Sequence, residues 1–577
     1  MLAAYTSYVG SIDDGSRGDT AFSEGDSDMS NKKREKIQQP TEMKEKAALR
    51  ASDAMQPQIP KGVDRRAFMM RSAMIGAMSV MTGSPISAQE KTEKAASTTA
   101  KTGTAPTPPL SPSLDVVKKG KGPVLTVIDE FYKVGPGPSS SHTIGPMRIT
   151  YDFYQRATKL PADKLEKATA FKVNLFGSLS ATGKGHGTER AALAGLVGKE
   201  PATVDPLFLD SLRDKPDQVF PVKLGSKSIN VSLKDIIYDA TKGDFKHPNT
   251  MTAKLLAGND VLLEQEYYSI GGGFIEWKGY VPPKKNPPKY PFSTMKELRA
   301  HADNNKITIA KVMLANEMSI AGRSEEEVYA FVDKITNAMV ATVKSGLSMP
   351  EDDVLPGPIK LHSKAATVYK RAMDESYQSD RGIGVLSAYA LAASEENARG
   401  HLVITAPTGG SAGVMPSLVY GLGEGGRKLP PEKIRDGMLA AAAVGYLCKH
   451  HATLSAAEGG CQAEIGVASS MAAALIATTH DAESRVVENA AESALEHHLG
   501  MTCDPVAGYV QVPCIERCAF GAVKAWTAYA IASNEIASRH RIDFDATVMA
   551  LAQTAKDMNS KYKETSEAGL ALSVVLC

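Results

Sequence analysis

The pattern of apolar and polar residues divides the chain into a mixed part and a helical part. Between 122 and 288, β-rich runs such as 171–176 alternate with helical stretches such as 190–196, which predicts an α/β domain. From 293 to 577, Ala, Met, Leu, Glu and Lys recur at helical spacing, as at 469–477, which is typical of an all-α domain. The predicted fold class is therefore α+β multidomain, with an N-terminal α/β domain followed by an all-α C-terminal domain.

Prolines and changes in composition mark the expected boundaries. Five prolines between 282 and 291 interrupt any regular element, so a domain boundary is expected there. Residues 1–63 are polar and charge-rich with little apolar periodicity, which predicts a disordered extension. Residues 89–121 are rich in Ala, Thr and Pro and are expected to form a linker.

The segment 64–88 has the features of an export signal. Arg65 and Arg66 precede a short apolar run that ends near the small residues Ser87 and Ala88. This resembles a twin-arginine signal, with cleavage after Ala88. The run is too short for a stable membrane anchor. The sequence therefore predicts export to the periplasm, with a cytoplasmic location as the alternative.

Length and charge restrict the classes of partner. A chain of 577 residues is too long for one compact core, so two folded domains are expected. The 66 basic and 65 acidic side chains leave a formal net charge of +1. No global field therefore attracts nucleic acid or acidic membranes, and a small-molecule partner is favoured.

The cysteines are the first candidates for chemistry. All six lie in the C-terminal quarter, and a chain of this size needs no disulfide framework, so metal binding or redox chemistry is favoured. Cys461, Cys503 and Cys514 stand beside glycine or proline turns. Their spacing is neither that of a zinc ribbon nor that of a ferredoxin. Three separate thiolates could hold an iron-sulfur cluster and leave one iron open to a substrate hydroxyl.

A serine-rich run, GPSSSHTIGPM at 137–147, opens a predicted helix. Its hydroxyls and free backbone N–H groups suit a carboxylate, and the helix dipole helps. A simple helix cap is the alternative reading. The candidate binding residues are Ser139, Ser140, Ser141 and Thr143.

Glycine-rich loops supply the other candidates. The loop 176–188 fails the phosphate-loop pattern because Gly185 follows Lys184. It places His186 between glycines, where an imidazole could act as a general base or serve as an ordinary turn histidine. The loops at 269–274 and 405–413 could cradle pyridoxal phosphate, so a pyridoxal enzyme stays open on these residues alone.

Taken in order, these segments resemble the iron-sulfur L-serine dehydratases of bacteria, in a single-chain form with both halves fused. The resemblance runs from about Leu125 to Cys577. The further matching segments are HPNTM at 247–251, YSIGGGF at 268–274, APTGG at 406–410 and DMNSKYKETS at 557–566. The family usually has Asn where this chain has Gly409, which leaves the fine substrate specificity open.

The resemblance implies a chemistry and its residues. A four-iron, four-sulfur cluster would bind to Cys461, Cys503 and Cys514 in the helical domain. L-Serine would be converted to pyruvate and ammonia between the two domains of a homodimer. His186 would be the base, with His142 as the second candidate, and the serine-rich run would bind the substrate carboxylate.

The last residue, Cys577, carries both a thiol and the terminal carboxylate, so it mimics serine. The resemblance implies that this tail caps the open iron in the resting enzyme. Two alternatives are considered: a related cluster-dependent lyase acting on L-cysteine or L-threonine, and an exported amino-acid-binding or redox-sensing protein without turnover.

Overall fold

The structure is a computed structural model, and it describes residues 122–241, 243–374 and 380–573. The predictions that lie outside the described residues concern the extension 1–63, the export signal 64–88, the linker 89–121 and Cys577.

The strands of the described chain are β1 (Lys133–Pro136), β2 (Ala170–Leu175), β3 (Phe220–Leu224), β4 (Lys227–Val231), β5 (Ile236–Tyr238), β6 (Thr250–Ala257), β7 (Asp260–Ser269), β8 (Ile275–Trp277) and β9 (Leu402–Thr405). Five of them form the sheet that organises the N-terminal part, in the order β5-β2-β6-β7-β8. Strand β2 runs parallel to β5 and antiparallel to β6, and β6, β7 and β8 follow one another as antiparallel neighbours. A separate hairpin is formed by β3 and β4.

Alternation along β2 explains why this sheet has one buried face. Phe171, Val173 and Leu175 are buried, while the residues between them are more exposed, because successive side chains of a strand point to opposite faces. The buried face joins a core that includes Phe153 and Leu193 from two helices. The strand predicted at 171–176 begins one residue earlier than expected.

The other long regular elements of the described chain are helices. In the N-terminal part they are α1 (Ile128–Phe131), α2 (Gly145–Thr158), α3 (Ala162–Leu165), α4 (Gly177–Thr182), α5 (Thr188–Leu196) and α6 (Pro206–Asp214). In the C-terminal part they are α7 (Met295–Asn305), α8 (Ile309–Ala321), α9 (Glu325–Leu347), α10 (Ala365–Met373), α11 (Arg381–Arg399), α12 (Val414–Leu422), α13 (Pro431–His451), α14 (Ala456–Gly459), α15 (Ile465–Thr479), α16 (Ser484–Glu496), α17 (Cys514–Asn534), α18 (Phe544–Asp557) and α19 (Leu570–Ser573). The segment 176–188 was predicted to be a glycine-rich loop, but its first half forms helix α4.

Helix α15 lies at the centre of the helical core and packs against α13, α16 and α17. Its residues are mostly Ala, Ser, Gly and Met, which lets neighbouring helices approach closely. Within the described part of the chain, Cys461–Thr479 is the one segment long and apolar enough to cross a membrane, and 94% of it is buried inside the fold. Its apolar character is accounted for by this central position.

One strand pair joins the two parts of the chain. Strand β1 pairs antiparallel with β9, and Lys133 lies opposite Thr405. Strand β9 is an exception to the all-α prediction, since its sequence LVIT is rich in β-branched residues and finds a partner in β1. The pairing places the start of the serine-rich run beside the residue before β9, since the Gly137 N–H donates to the His401 carbonyl at 2.9 Å. The run then turns back toward the glycine loop after β9, where a Cβ added at Gly409 would lie 2.7 Å from the Ser140 backbone nitrogen. The predicted mixed fold class, with a sheet part before a helical part, is confirmed.

A buried carboxylate lies in the helical core away from these loops. Glu317 on α8 is 2% exposed. Its oxygens accept hydrogen bonds from the Ile128 backbone N–H at 3.0 Å and from the Tyr446 hydroxyl at 2.8 Å. Burial nevertheless raises the pKa of Glu317 to about 8, because desolvation disfavours the charged form.

We expect Glu317 to make stability pH-dependent. The folded-state pKa exceeds the unfolded value of 4.5, so its contribution is full below pH 4.5 and is lost as pH rises toward about 8. The slope is at most about 1.4 kcal/mol per pH unit for one group. Thermal midpoints of wild type and Glu317→Gln, measured without oxygen from pH 5 to 8, should diverge, with wild type losing more. Parallel curves would contradict this.

Candidate active site

The serine-rich run forms a buried turn between β1 and α2. Residues Ser140–Ile144 make one π-helical turn, and the Ser139 side chain caps it by accepting from the His142 backbone N–H at 3.1 Å. The capping interpretation is therefore correct for Ser139. Ser140 is different, because its hydroxyl is buried and has no hydrogen-bond partner within the described chain.

A chain of hydrogen bonds crosses from this turn to the C-terminal part. Ser139 and Ser141 hydroxyls lie 3.2 Å apart, Ser141 Oγ is 2.9 Å from His142 Nδ1, and His142 Nε2 is 3.0 Å from Ser178 Oγ. Ser178 donates to the backbone carbonyl of Glu564 at 2.9 Å. Because that bond uses the Ser178 proton, His142 must donate from Nε2 and accept at Nδ1. Both ring nitrogens of His142 are thus engaged.

His186 is held differently. Its Nδ1 lies 2.8 Å from the Thr182 carbonyl, so Nδ1 carries the proton and Nε2 carries the lone pair. Nε2 is buried without a hydrogen-bond partner among the described residues. Burial lowers the pKa of His186 to about 4 and lowers that of His142 further below its usual value. An unprotonated Nε2 with no donor on it is the arrangement that a general base requires.

The two histidines share one carboxylate that sequence reasoning did not single out. Glu564 Oε1 is 3.5 Å from His142 Nδ1 and 3.6 Å from His186 Nε2, and the two rings lie 4.6 Å apart between centroids. Burial raises the pKa of Glu564 to about 8, and the nearby Cys461 adds to the shift. The one sequence feature that could have identified Glu564 was its position in the segment 557–566, which matches the family. No neighbouring residue indicated that Glu564 is buried.

Backbone bonds fix Glu564 beside one of the predicted cluster ligands. The Glu564 N–H donates to the Cys503 carbonyl, and the Cys503 N–H donates to the Tyr562 carbonyl, both at 2.8 Å. Glu564 has a φ of 57°, which is unusual for a residue with a side chain. Residues near the end of the described chain therefore connect the thiols to the histidines.

The three predicted cluster cysteines come together from three different segments. Cys461, Cys503 and Cys514 are all buried and free. Hydrogen bonding from the Cys503 and Cys514 thiols lowers the pKa of Cys461, so one thiolate is stabilised by two neighbouring S–H groups. Arg517 lies beside them and donates to the Thr502 carbonyl at 2.6 Å. Its cation offsets part of the negative charge that thiolates bring into the interior.

The three thiols are donors of the type that binds an iron-sulfur cluster. Among the described residues, no group of three or more His, Cys, Asp or Glu side chains could hold one metal ion. A four-iron cluster is a larger object that is bound by cysteine thiolates, and this pocket offers three, with a guanidinium nearby. The other described cysteines are also buried and free: Cys448 lies in α13, and Cys518 donates to the Gly410 carbonyl at 3.3 Å.

A second carboxylate, Glu464, lies close to Cys461, because its backbone N–H donates to the Cys461 carbonyl at 3.1 Å. It is the residue before α15 and is 6% exposed. Burial raises its pKa well above the usual range, and the charges of Glu564 and Cys461 contribute. A Cβ added at Gly410 would lie 2.5 Å from Glu464 Oε2, so the glycine loop after β9 packs directly on this carboxylate. Sequence reasoning missed Glu464 as well.

The site lies near an open cleft. A cleft with a cavity volume of about 70 Å³ is lined by Thr143 and His186. Its wall includes Arg190, Arg399 and Tyr509, so residues of both parts of the chain line it. The buried atoms without a hydrogen-bond partner in the site include Ser140 Oγ, His186 Nε2 and Glu564 Oε2.

Comparison with known proteins gives a consistent result. Residues 127–280 match the family model described as serine dehydratase beta chain, and residues 304–571 match the one described as serine dehydratase alpha chain. The chain is 38% identical over 462 residues to L-serine dehydratase of Haemophilus influenzae, covering 78% of this chain and 100% of that protein. It is 37% identical over 475 residues to L-serine dehydratase 2 of Escherichia coli, covering 79% and 100%. It is 38% identical over 472 residues to L-serine dehydratase of Streptomyces coelicolor, covering 78% and 100%.

Proposed function

The chain belongs to the serine dehydratase family, and on that premise we propose that it is an iron-sulfur L-serine dehydratase, which converts L-serine to pyruvate and ammonia. The observation that carries the proposal is one buried site in which three thiols, a base-competent histidine and a serine-rich turn converge. The relatives reported above favour L-serine as substrate over L-cysteine or L-threonine.

The serine-rich turn would bind the substrate carboxylate. Among the described residues, Ser140 Oγ is buried without a hydrogen-bond partner. An oxygen of a bound ligand would therefore give this hydroxyl the hydrogen bond that it loses when it is removed from water. Ser139 and Ser141 have hydrogen bonds to one another and to His142, and Thr143 donates to the His186 carbonyl at 2.8 Å. These three residues would hold the turn in shape and Ser140 would make the direct contact.

His186 would remove the proton from the substrate Cα. Its Nε2 is free to accept, and its Nδ1 proton is fixed on the Thr182 carbonyl, which holds the ring in the basic tautomer. Glu564 lies 3.6 Å from Nε2 and would stabilise the imidazolium when its carboxyl group is ionised. His142 is less suited to this role because Ser141 and Ser178 engage both of its nitrogens. The enamine left after loss of the hydroxyl would tautomerise and hydrolyse to pyruvate and ammonia.

Cys461, Cys503 and Cys514 would hold a four-iron, four-sulfur cluster. Their burial and mutual contact support this assignment, as does the Arg517 guanidinium beside them. When bound, the cluster would supply a Lewis acid for the serine hydroxyl, which is otherwise a poor leaving group.

A pyruvate assay on protein purified without oxygen tests this function. We expect pyruvate and ammonia to form in equal amounts from L-serine, with much slower turnover of L-threonine and L-cysteine. An absorption spectrum of the same sample reports the cluster. Cluster absorption without pyruvate would contradict the dehydratase and favour a binding or sensing protein.

Three further proposals rest on the sequence. We propose that the enzyme is a homodimer, and that it is exported by the twin-arginine route, since Arg65 and Arg66 precede a short apolar run. N-terminal sequencing of the secreted protein near Gln89 would test the export. We also propose that the Cys577 thiol would be a further ligand of the cluster in the resting enzyme, as the family resemblance implies.

A further inference from the structure

The cleft of the candidate site has an excess of positive charge. Three arginines, Arg190, Arg213 and Arg399, line it together with one acidic residue, Asp210. Two of the arginines are paired, since Arg213 lies 3.2 Å from Asp210 and Arg399 lies 2.6 Å from Asp353. Arg190 forms no ion pair with a carboxylate in the described part of the chain. Its charge is therefore the one in the cleft wall that an anionic ligand could neutralise.

The guanidinium of Arg190 belongs to the cleft wall itself. Its Nη1 donates to the Leu209 carbonyl at 3.3 Å, and a Cβ added at Gly187 would lie 2.5 Å from its Nη2. Leu209 and Gly187 both line the cleft, so a guanidinium that contacts both lies at the same surface. The bond to Leu209 is its one hydrogen bond among the described residues, and the side chain is partly exposed. A guanidinium has five N–H donors, so most of them are available to a ligand.

Arg190 lies next to the loop that carries the proposed base. Gly187 follows His186 directly, and the absence of a side chain at Gly187 is what lets the guanidinium approach the main chain there. His186 and Thr143 line the same cleft, whose cavity volume is about 70 Å³. Because one water molecule needs about 10–15 Å³ of such volume, this space is on the scale of a small amino acid. A carboxylate bound to Arg190 would share that small space with the base.

We propose that Arg190 captures the substrate carboxylate in the cleft and is the residue that selects ligands carrying a free carboxylate. The inference rests on the proposed function and extends it from reaction type to substrate recognition. The planar guanidinium matches a carboxylate through two parallel hydrogen bonds. Ser140 lies outside the cleft lining, whereas Arg190 is part of it. The contact with Arg190 therefore comes first, and the serine-rich turn receives the carboxylate afterwards.

The test compares two ligands that differ in the carboxylate alone. L-Alanine and L-alaninamide both carry the ammonium and lack the hydroxyl that the reaction removes, but L-alaninamide has a neutral amide in place of the carboxylate. In wild type we expect L-alanine to bind more tightly. In Arg190→Gln this preference should fall by about tenfold or more, because a charge-assisted contact is lost, while L-alaninamide binding stays nearly constant. Calorimetric titration of both ligands into anaerobically prepared protein measures the preference without relying on turnover.

Two variants serve as controls. Lys184 precedes His186 on the same loop, is exposed and lies outside the cleft lining. Lys184→Gln removes the same charge from the same region, and it should keep the wild-type preference. Arg190→Lys keeps the charge but loses the planar fork, so it should retain part of the preference. Cluster absorption checks that each variant is intact.

Kinetics with L-serine provide an independent readout. A contact that is equally strong in the bound substrate and in the transition state affects KM and leaves kcat unchanged. We therefore expect KM of Arg190→Gln to rise about tenfold while kcat stays within about twofold of wild type. In wild type, added salt should lower kcat/KM because it screens the attraction between substrate and cleft. This salt dependence should be weaker in Arg190→Gln.

Equal binding of the two ligands to wild type would overturn the proposal, and so would an Arg190→Gln variant that weakened both alike or changed neither. A Lys184→Gln variant with the same loss of preference would also overturn it, since overall charge would then explain the result. A pyruvate assay on the same samples separates the two claims. Preference for L-alanine without pyruvate formation would refute the dehydratase and leave the role of Arg190 standing, whereas pyruvate formation with an unchanged preference in Arg190→Gln would refute Arg190 alone.

Discussion

Replacing Cys503 by serine is expected to abolish both the brown colour and the activity of anaerobically prepared protein. Cys503 is one of three buried thiols in mutual contact, and a hydroxyl does not replace a thiolate as a ligand for cluster iron. Two remaining ligands would not retain the cluster. The wild-type protein should be brown under nitrogen and lose colour and activity together in air. Absorption spectra and pyruvate formation measured on the same samples test both statements.

The matched control for this variant is Cys448→Ala. Cys448 is fully buried in α13, and burial alone raises the pKa of its thiol, which makes it a small apolar residue of the core. We expect Cys448→Ala to keep the colour and the activity. A colourless wild-type preparation with full activity, or a Cys503→Ser protein that keeps its colour, would refute the cluster assignment.

Replacing His186 by alanine should lower turnover by roughly a hundredfold or more while leaving the cluster absorption intact. That is the range expected when a general base is removed. Among the described contacts, His186 is bonded to Thr182 and Thr143 and faces Glu564, but no cysteine, so the colour should survive. The direct readout is the isotope effect of L-serine deuterated at Cα, which reports whether proton removal has become slower.

Two further histidine variants serve as comparisons for His186→Ala. His142→Ala should also reduce turnover, but through misplacement of Ser141 and Ser178, so its effect should include a raised KM. His301 is half-buried and donates from Nε2 to the Pro291 backbone carbonyl at 2.7 Å, and His301→Ala should behave as wild type. If His186→Ala lost its colour as readily as its activity, the residue would be structural rather than the base.

Much of the architecture followed from local pattern. The period-two alternation that predicted the strand at 171–176 and the helical spacing at 469–477 reflect contacts between near neighbours in sequence. The serine-rich turn, His186 and the three thiols were identified because each lies in a distinctive local context of hydroxyls, glycines or turns. The structure then distinguished two of these serines. The buried hydroxyl of Ser140 has no hydrogen-bond partner among the described residues, whereas Ser139 caps the turn.

Glu464 and Glu564 show what such patterns could not indicate. In sequence they are ordinary acidic residues among 65 acidic side chains, and nothing nearby marks them as buried. Glu564 meets Ser178 across 386 positions of sequence, and the β1–β9 pair joins Lys133 to Thr405 across 272 positions. Such contacts depend on how the helical core packs around α15.

The sequence by itself therefore determined the fold class and singled out the three thiols and His186 as candidates, because secondary structure and turn chemistry are set by neighbouring residues. Only the tertiary structure decided that both nitrogens of His142 are engaged while Nε2 of His186 has no hydrogen-bond partner among the described residues, which carboxylates join the site and how their pKa values shift. The physical reason is that hydrogen-bond partners, desolvation and charge coupling all depend on groups brought together through space by packing.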